Sequence, residues 1–249
     1  MKRSALALMA ISVLAPMTVP AQDQLRGPDG RTSSHVSGVE LLAVPNRPFS
    51  GKSNIEWTRI LEDGSTITTH LQANLARDSK GRIYRERRSF VPANSSDPAP
   101  LNEIHITDPT TRTQTICSIR AMQCIISGYT PQTFFNSPPT GPYADGTRYR
   151  TREELGTSQM NGFEVTGSRE TRTINSGVIG NDRSLVSTGE FWYNADLQTN
   201  LQVIRTGPDI GKQVIKLTDI SVSEPNPELF RIPIGYSVRD SRRIQRIAP

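Results

Sequence analysis

The sequence predicts a mainly β protein of about ten or eleven strands in meander order, with little helix. Three observations carry that expectation. Glycine and proline number 18 each in 249 residues, which favours frequent turns over long helices. Short strand-like runs recur between turn residues at the spacing of a sandwich, a barrel or a strongly curved open sheet. The run Ser65–Ala76 alternates strictly, with Ile67, Thr69, Leu71, Ala73 and Leu75 on one side and Thr66, Thr68, His70, Gln72 and Asn74 on the other. One face of that strand is therefore buried and the other wet.

The first segment reads as a secretory signal peptide over residues 1–21. Lys2 and Arg3 form a basic start, Ala5 to Met17 is apolar, and Val19-Pro20-Ala21 places small residues at the cleavage positions. The competing reading is a buried N-terminal helix. The apolar run is too short to span a bilayer, and no cysteine follows the cleavage point to take a lipid. Of the 29 basic side chains, 27 then remain against 24 acidic ones, a net charge of +3 instead of +5. A charge that small needs no nucleic-acid partner. The protein is expected to be exported, periplasmic or secreted, with no transmembrane segment after cleavage. Hydrophobic residues at 35% are too few for a polytopic membrane protein.

Residues 22–50 read as a flexible N-terminal arm, rich in Gly, Pro, Ser and Arg, with one apolar patch at Val39–Val44 that docks. A β domain follows over 51–238. Strands are expected at Lys52–Leu61, Ser65–Ala76 and Arg82–Phe90, joined by the turns Glu62–Ser65 and Asp78–Gly81, where Asp-Gly marks a hairpin. Asn102–Thr107, Thr113–Ile119 and the Cys124 segment continue the series. Thr130–Thr147 is a proline-punctuated loop carrying Phe134, Phe135 and Tyr143, candidates for a lid or plug. Strands resume at Tyr149–Leu155, Phe163–Ile174, Ser184–Tyr193, Asn200–Thr206 and Lys212–Val222. Glu228–Phe230 forms one helical turn, a short strand runs through Tyr236 and Val238, and 239–249 is a basic tail.

Cys117 and Cys124 are the two cysteines. In an oxidising compartment such pairs usually join, and a hairpin with its turn at Ile119–Met122 would oppose them. Closing so small a loop stabilises by roughly 2–3 kcal/mol in the chain-entropy model. The rival is a zinc site, which takes four ligands, and His35, His70 and His105 are scattered. No base lies beside either cysteine to activate a nucleophile.

Catalytic and cofactor motifs are missing: there is no phosphate loop, His-Glu-x-x-His, Gly-x-Ser-x-Gly or CxxC. No cofactor and no metal are expected. His105 falls opposite Ile104 and Ile106 and reads as a solvated strand histidine. Glu153 and Glu154 point to opposite faces and make no dyad. The basic run holds Arg82, Arg85, Arg87 and Arg88 with Tyr84 and Phe90 interleaved. It reads as a solvated face paired with Glu86 and neighbouring acids, against an anionic-surface or nucleic-acid patch, and export disfavours nucleic acid.

Two sets of residues carry a resemblance. Glu190–Asn194 and Leu201–Ile204, then Leu217–Ile220 and Pro227–Tyr236, resemble the C-terminal half of periplasmic lipoprotein carriers, outer-membrane lipoprotein-sorting proteins and related sigma-factor regulatory sensors. Trp57, Asp63–Ser65, Arg77–Arg82, Asp108-Pro109 and Gly177–Arg183 resemble exported bacterial proteins of unknown function. The resemblance implies a single antiparallel, strongly curved sheet, an incomplete barrel whose concave side receives acyl chains. This chain departs from the carrier pattern in lacking an amphipathic helix before its first strand and in having a proline-rich loop as its lid. Under that reading Trp57, Ile67, Leu71, Leu75, Ile104, Ile106, Phe163, Val165 and Val203 line the inner face, around a lipid, an acyl chain or a partner's lipidated segment. The protein is then a non-enzymatic binding protein. The alternative is a cell-envelope interaction or sensor module with a filled core, which binds a protein partner through a sheet edge or the basic strand. A third class is a hydrolase whose site carries no recognisable motif.

Overall fold

The structure, a computed structural model, describes residues 39–131 and 139–242. The signal peptide over 1–21, the arm as far as residue 38, Phe134, Phe135 and the tail from residue 243 lie outside them. The strands are β1 (Phe49–Ile60), β2 (Thr66–Arg77), β3 (Ile83–Arg88), β4 (Val91–Pro92), β5 (Leu101–Asp108), β6 (Thr113–Ser118) and β7 (Gln123–Gly128). They continue as β8 (Gly141–Pro142), β9 (Arg148–Met160), β10 (Phe163–Ile174), β11 (Leu185–Asn194), β12 (Thr199–Gly207), β13 (Gly211–Ser221) and β14 (Ser237–Asp240). One turn of 3₁₀ helix spans Pro227–Phe230, its start capped by the Asn226 side chain, which accepts from the Glu228 N–H.

All fourteen strands join one open, curved sheet in the order β14-β7-β6-β5-β3-β2-β1-β13-β12-β11-β10-β9-β8, with β4 on β2. This corrects the expected sheet in three respects. Fourteen strands lie among the described residues, because the two-residue strands β4 and β8 carry no periodicity to betray them. The sheet is mixed, because β14 runs parallel to β7. It is also not a plain meander. β1 lies at its middle and pairs with β13, so two meanders meet along one long-range junction. Bulges at Arg87/Arg88, Gly167/Ser168 and Trp192/Tyr193 add local bend and twist.

The main core lies on one face. The register sets Val203, Ile215, Ile55 and Leu71 side by side across four strands, with Leu217 and Ala73 flanking Ser53 in a second row. The chain covers this face itself. Val39, Leu41 and Ala43, just before β1, are buried in the same cluster, as is Leu197 from the β11–β12 turn. The far end of the β9–β10 hairpin folds in too: Val165 is buried, Met160 and Phe163 pack against the cluster, and Asn161 Nδ2 donates to the Leu217 carbonyl at 2.8 Å. That end turns where Gly167 pairs with Gly156; a β-carbon at Gly167 would strike the Trp192 ring and Leu155.

Arg77 ties the covering segment down. Its side chain is fully buried and donates to the carbonyls of Leu42 at 3.0 Å, Arg47 at 2.9 Å and Leu197 at 2.5 Å. A guanidinium suits this task because its five donors form a planar fork.

A smaller cluster lies on the opposite face. Tyr84 pairs with both Ala76 and Ile106, and Phe230 of the 3₁₀ turn covers them, with Ile104 and Leu229 beside it. The Cys117–Cys124 disulfide forms in the β6–β7 hairpin between directly opposed, fully buried residues 3.9 Å apart at Cα. That is the close-pair geometry of an antiparallel ladder.

Candidate functional site

The sheet splits beside β2, and the split makes the site. β3 pairs with β2 only from Leu75 to Arg77, and β4 pairs with it only at Thr69 and His70. Between them, residues 71–74 have no strand partner on that side among the described residues. The Glu86 carboxylate fills one end of the gap. It accepts from the Asn74 N–H and from Asn74 Nδ2, both at 3.0 Å, and from Arg88 Nε at 2.8 Å. Burial alone would raise this carboxyl, but the Arg88 and Asn74 hydrogen bonds hold it below the usual glutamate range. Alternate residues of an antiparallel strand present their peptide groups to the same neighbour. The Gln72 N–H and C=O therefore point into the gap as Asn74 does.

A groove of about 650 Å³ lies over this gap, overhung by Ser95–Ala99. Its floor is the wet face of the sheet, where the register places Lys216, Asn54 and Gln72 in one row and Val214, Glu56 and His70 in the next. Gln72 Nε2 donates to Asn54 Oδ1, and Asn54 Nδ2 donates on to Thr218 Oγ1, both at 2.7 Å. The chain of amides is thereby oriented. A smaller hollow of about 260 Å³ continues past Asn74 to Tyr84 and Leu229. The charged lining is balanced, Arg88 and Lys216 against Glu56 and Asp97. This surface favours a neutral ligand rich in donors and acceptors. Glu56 stands opposite His70, an acid and an imidazole brought together by register.

The expected inner-face residues do not form one lining. Leu71, Leu75, Val165 and Val203 are buried in the main cluster, with Phe163 half-buried against it. Trp57 flanks that cluster, its Nε1 donating to the Ile210 carbonyl at 2.5 Å and its ring 5.7 Å from that of Phe90. Ile67 is exposed at the hairpin end. Ile104 and Ile106 fall on the other face, opposite Glu86 and Tyr84. Leu71 alone of the set borders the larger groove, and Leu75 the smaller.

The basic run is not a patch. Alternation sends Arg85 and Arg87 to one face and Arg88 to the other. Arg82 pairs with Asp78 at 2.6 Å, Arg85 with Glu40 at 2.9 Å and Arg88 with Glu86 at 2.8 Å, all with largely buried side chains. The solvated face expected there is therefore a set of mostly internal pairs. His105 is likewise not solvated: 11% of its side chain is exposed, and Nε2 lies 2.7 Å from Glu103 Oε2. Burial, then the Arg87 and Arg85 charges, push its pKa below the usual histidine value against the Glu103 hydrogen bond. Tyr143, a lid candidate, is tied to the sheet by Arg150 Nη2, which donates to its hydroxyl at 2.8 Å.

The groove has no signature in the sequence because its lining comes from five separate segments, β1, β2, Arg88 of β3, Ser95–Ala99 and β13. His70, Gln72 and Asn74 are legible as the wet side of β2, and that is the available signal.

No family model matches the chain, and no curated protein matches it. Solved structures are similar to it. An uncharacterized conserved protein from Thermus thermophilus has a TM-score of 0.42 at 11% identity, over 78% of this chain and 91% of that one. MucB has a TM-score of 0.36 at 11% identity, over 79% of this chain and 61% of its own. A LolA superfamily protein from Nitrosomonas europaea has a TM-score of 0.29 at 9% identity, over 76% and 91%.

Proposed function

We propose that this chain is an exported, non-enzymatic binding module that takes an extended polypeptide segment of an envelope partner in the groove beside β2. The observation that carries the reading is the gap at residues 71–74. There Gln72 presents main-chain groups to a groove walled by amides and hydroxyls. An extended segment entering the gap would gain strand-type hydrogen bonds, the basis of recognition by strand addition. The predicted signal peptide and the buried disulfide support export.

The test is a photo-crosslinker at Gln72, with Ile179 as a control on a remote exposed loop. Cross-links specific to Gln72 that vanish in Ser96→Trp, a rim substitution that blocks the groove, support the reading. Equal yields at both positions, or none, overturn it.

A second reading keeps the apolar ligand. One observation favours it: the segment covering the apolar face, Val39–Arg47, is no part of the sheet and is held through Arg77. If that segment leaves, an acyl chain would find Leu41's place among Ile55, Leu71 and Val203, gaining about 0.8 kcal/mol for each methylene buried. The hydrolase reading rests on Glu56 and His70. Loss of a measurable hydrolytic turnover in His70→Gln is the result it requires.

A further inference from the structure

The end of the sheet that carries the disulfide has a surface the groove does not use. Met122, at the tip of the β6–β7 turn, is 52% exposed; Ile234 is 101% and Val238 52% exposed. They lie together. The Ser237 N–H donates to the Met122 carbonyl at 2.9 Å, Val238 stands beside Cys124, and Gly235 borders the Met122 methyl. Single exposed apolar side chains are ordinary, but a cluster at one tip is not. The disulfide braces the hairpin that presents it.

The charge around this tip has one sign in excess. Arg120 shares the β6–β7 turn with Met122, Arg231 precedes Ile234 by three residues and Arg239 on β14 pairs with Ile125, all exposed; Arg242, also exposed, lies further along β7, after Ser241, whose N–H donates to the Ile126 carbonyl. Arg231 pairs with Glu228 and Arg242 with Asp240, which leaves the charges of Arg120 and Arg239 unbalanced. The sequence continues with Arg243 and Arg246. Exposed apolar side chains with the arginines Arg120 and Arg239 beside them fit the boundary of a lipid leaflet, where methyl groups enter the acyl region and guanidinium groups meet phosphates.

We infer that this tip docks the protein reversibly on an anionic lipid surface, with Met122, Ile234 and Val238 inserted and Arg120 and Arg239 on the headgroups. Docking here leaves the groove beside β2 free, since no residue is shared. The inference stands whether or not a polypeptide enters that groove.

The experiment uses the full exported chain, oxidised, sedimented with vesicles of phosphatidylcholine alone or with one third phosphatidylglycerol. Each unbalanced arginine contributes about fivefold in partition, so phosphatidylglycerol vesicles should bind at least tenfold more strongly, and less so in high salt. Met122→Asp with Ile234→Asp should lose that binding, and Arg120→Glu with Arg239→Glu should abolish the preference for anionic lipid. Ile179→Asp, an exposed apolar control elsewhere, should change nothing. All these positions are exposed, so the fold is preserved, which the thermal midpoint verifies. Equal binding to both vesicles, no binding to either, or an equal loss in Ile179→Asp overturns the inference. Binding by a protein partner alone would appear as no vesicle binding at all.

Discussion

Arg77 and Leu42 are 35 residues apart in sequence, yet Arg77 Nη1 donates to the Leu42 carbonyl at 3.0 Å inside the protein. The cation is received by main-chain carbonyls, those of Leu42, Arg47 and Leu197, in place of a carboxylate. Burial, with the charge of Arg47 nearby, brings its pKa down to about 10, so it stays charged at neutral pH. Arg77→Met leaves three carbonyls short of a donor and frees the segment over the apolar face. We expect a loss of roughly 3 kcal/mol, read as a lower urea midpoint at unchanged m. Arg77→Lys should lose most of that too, because an ammonium does not reproduce the planar fork.

Gly211 sits at the junction of the two meanders with a φ of 71°, and a β-carbon there would collide with the Thr58 carbonyl oxygen. Gly211→Ala meets both strain and a backbone clash. It should destabilise by more than about 2 kcal/mol. The equivalent change at the open Gly64 turn should cost about 1 kcal/mol from its positive φ alone. Paired thermal melts check the difference.

Removing the disulfide as Cys117→Ser with Cys124→Ser should cost roughly 2–3 kcal/mol. For a chain of this size that lowers Tm by about 5–10 °C. Both sulfurs are buried, so reductant should act on the native protein only as fast as it opens.

His105 links stability to pH. Its folded pKa lies below its unfolded value, chiefly through burial. The folded state therefore resists a proton that the unfolded chain accepts. Its stabilisation is complete above the unfolded value near 6.5 and is lost as pH falls through the folded pKa. The urea midpoint should drop as pH falls below the unfolded value of about 6.5, and His105→Gln should flatten that slope. An imidazole titrating above its ordinary value by NMR would contradict this.

Local order was legible in the sequence, long-range order was not. The alternation of Ser65–Ala76, which forms β2 one residue later at each end, and the opposition of Cys117 and Cys124 follow from period and hairpin geometry. Periodicity also shows that Ile104 and Ile106 share a face, but not which face. That depends on Ile106 pairing with Tyr84, a register that alternation alone does not contain. The β1–β13 junction joins residues such as Ile55 and Ile215 across most of the chain, and the parallel β14–β7 pair joins Ser237 to Gln123; neither carries a local signal. The arginines from Arg82 to Arg88 read as a surface in the sequence because two of their partners, Asp78 for Arg82 and Glu40 for Arg85, lie outside that run.

The central claim is that the chain's own segment fills the apolar face, leaving the polar groove as the working surface. Native mass spectrometry on the chain from Gln22 onward, purified without detergent and then titrated with a fatty acid and a phospholipid, is the decisive measurement. We expect the bare polypeptide mass before titration and no stoichiometric adduct after it, with adducts emerging only in Arg77→Met. A one-to-one acyl-lipid adduct on the unaltered protein would contradict it and make the apolar face the binding site.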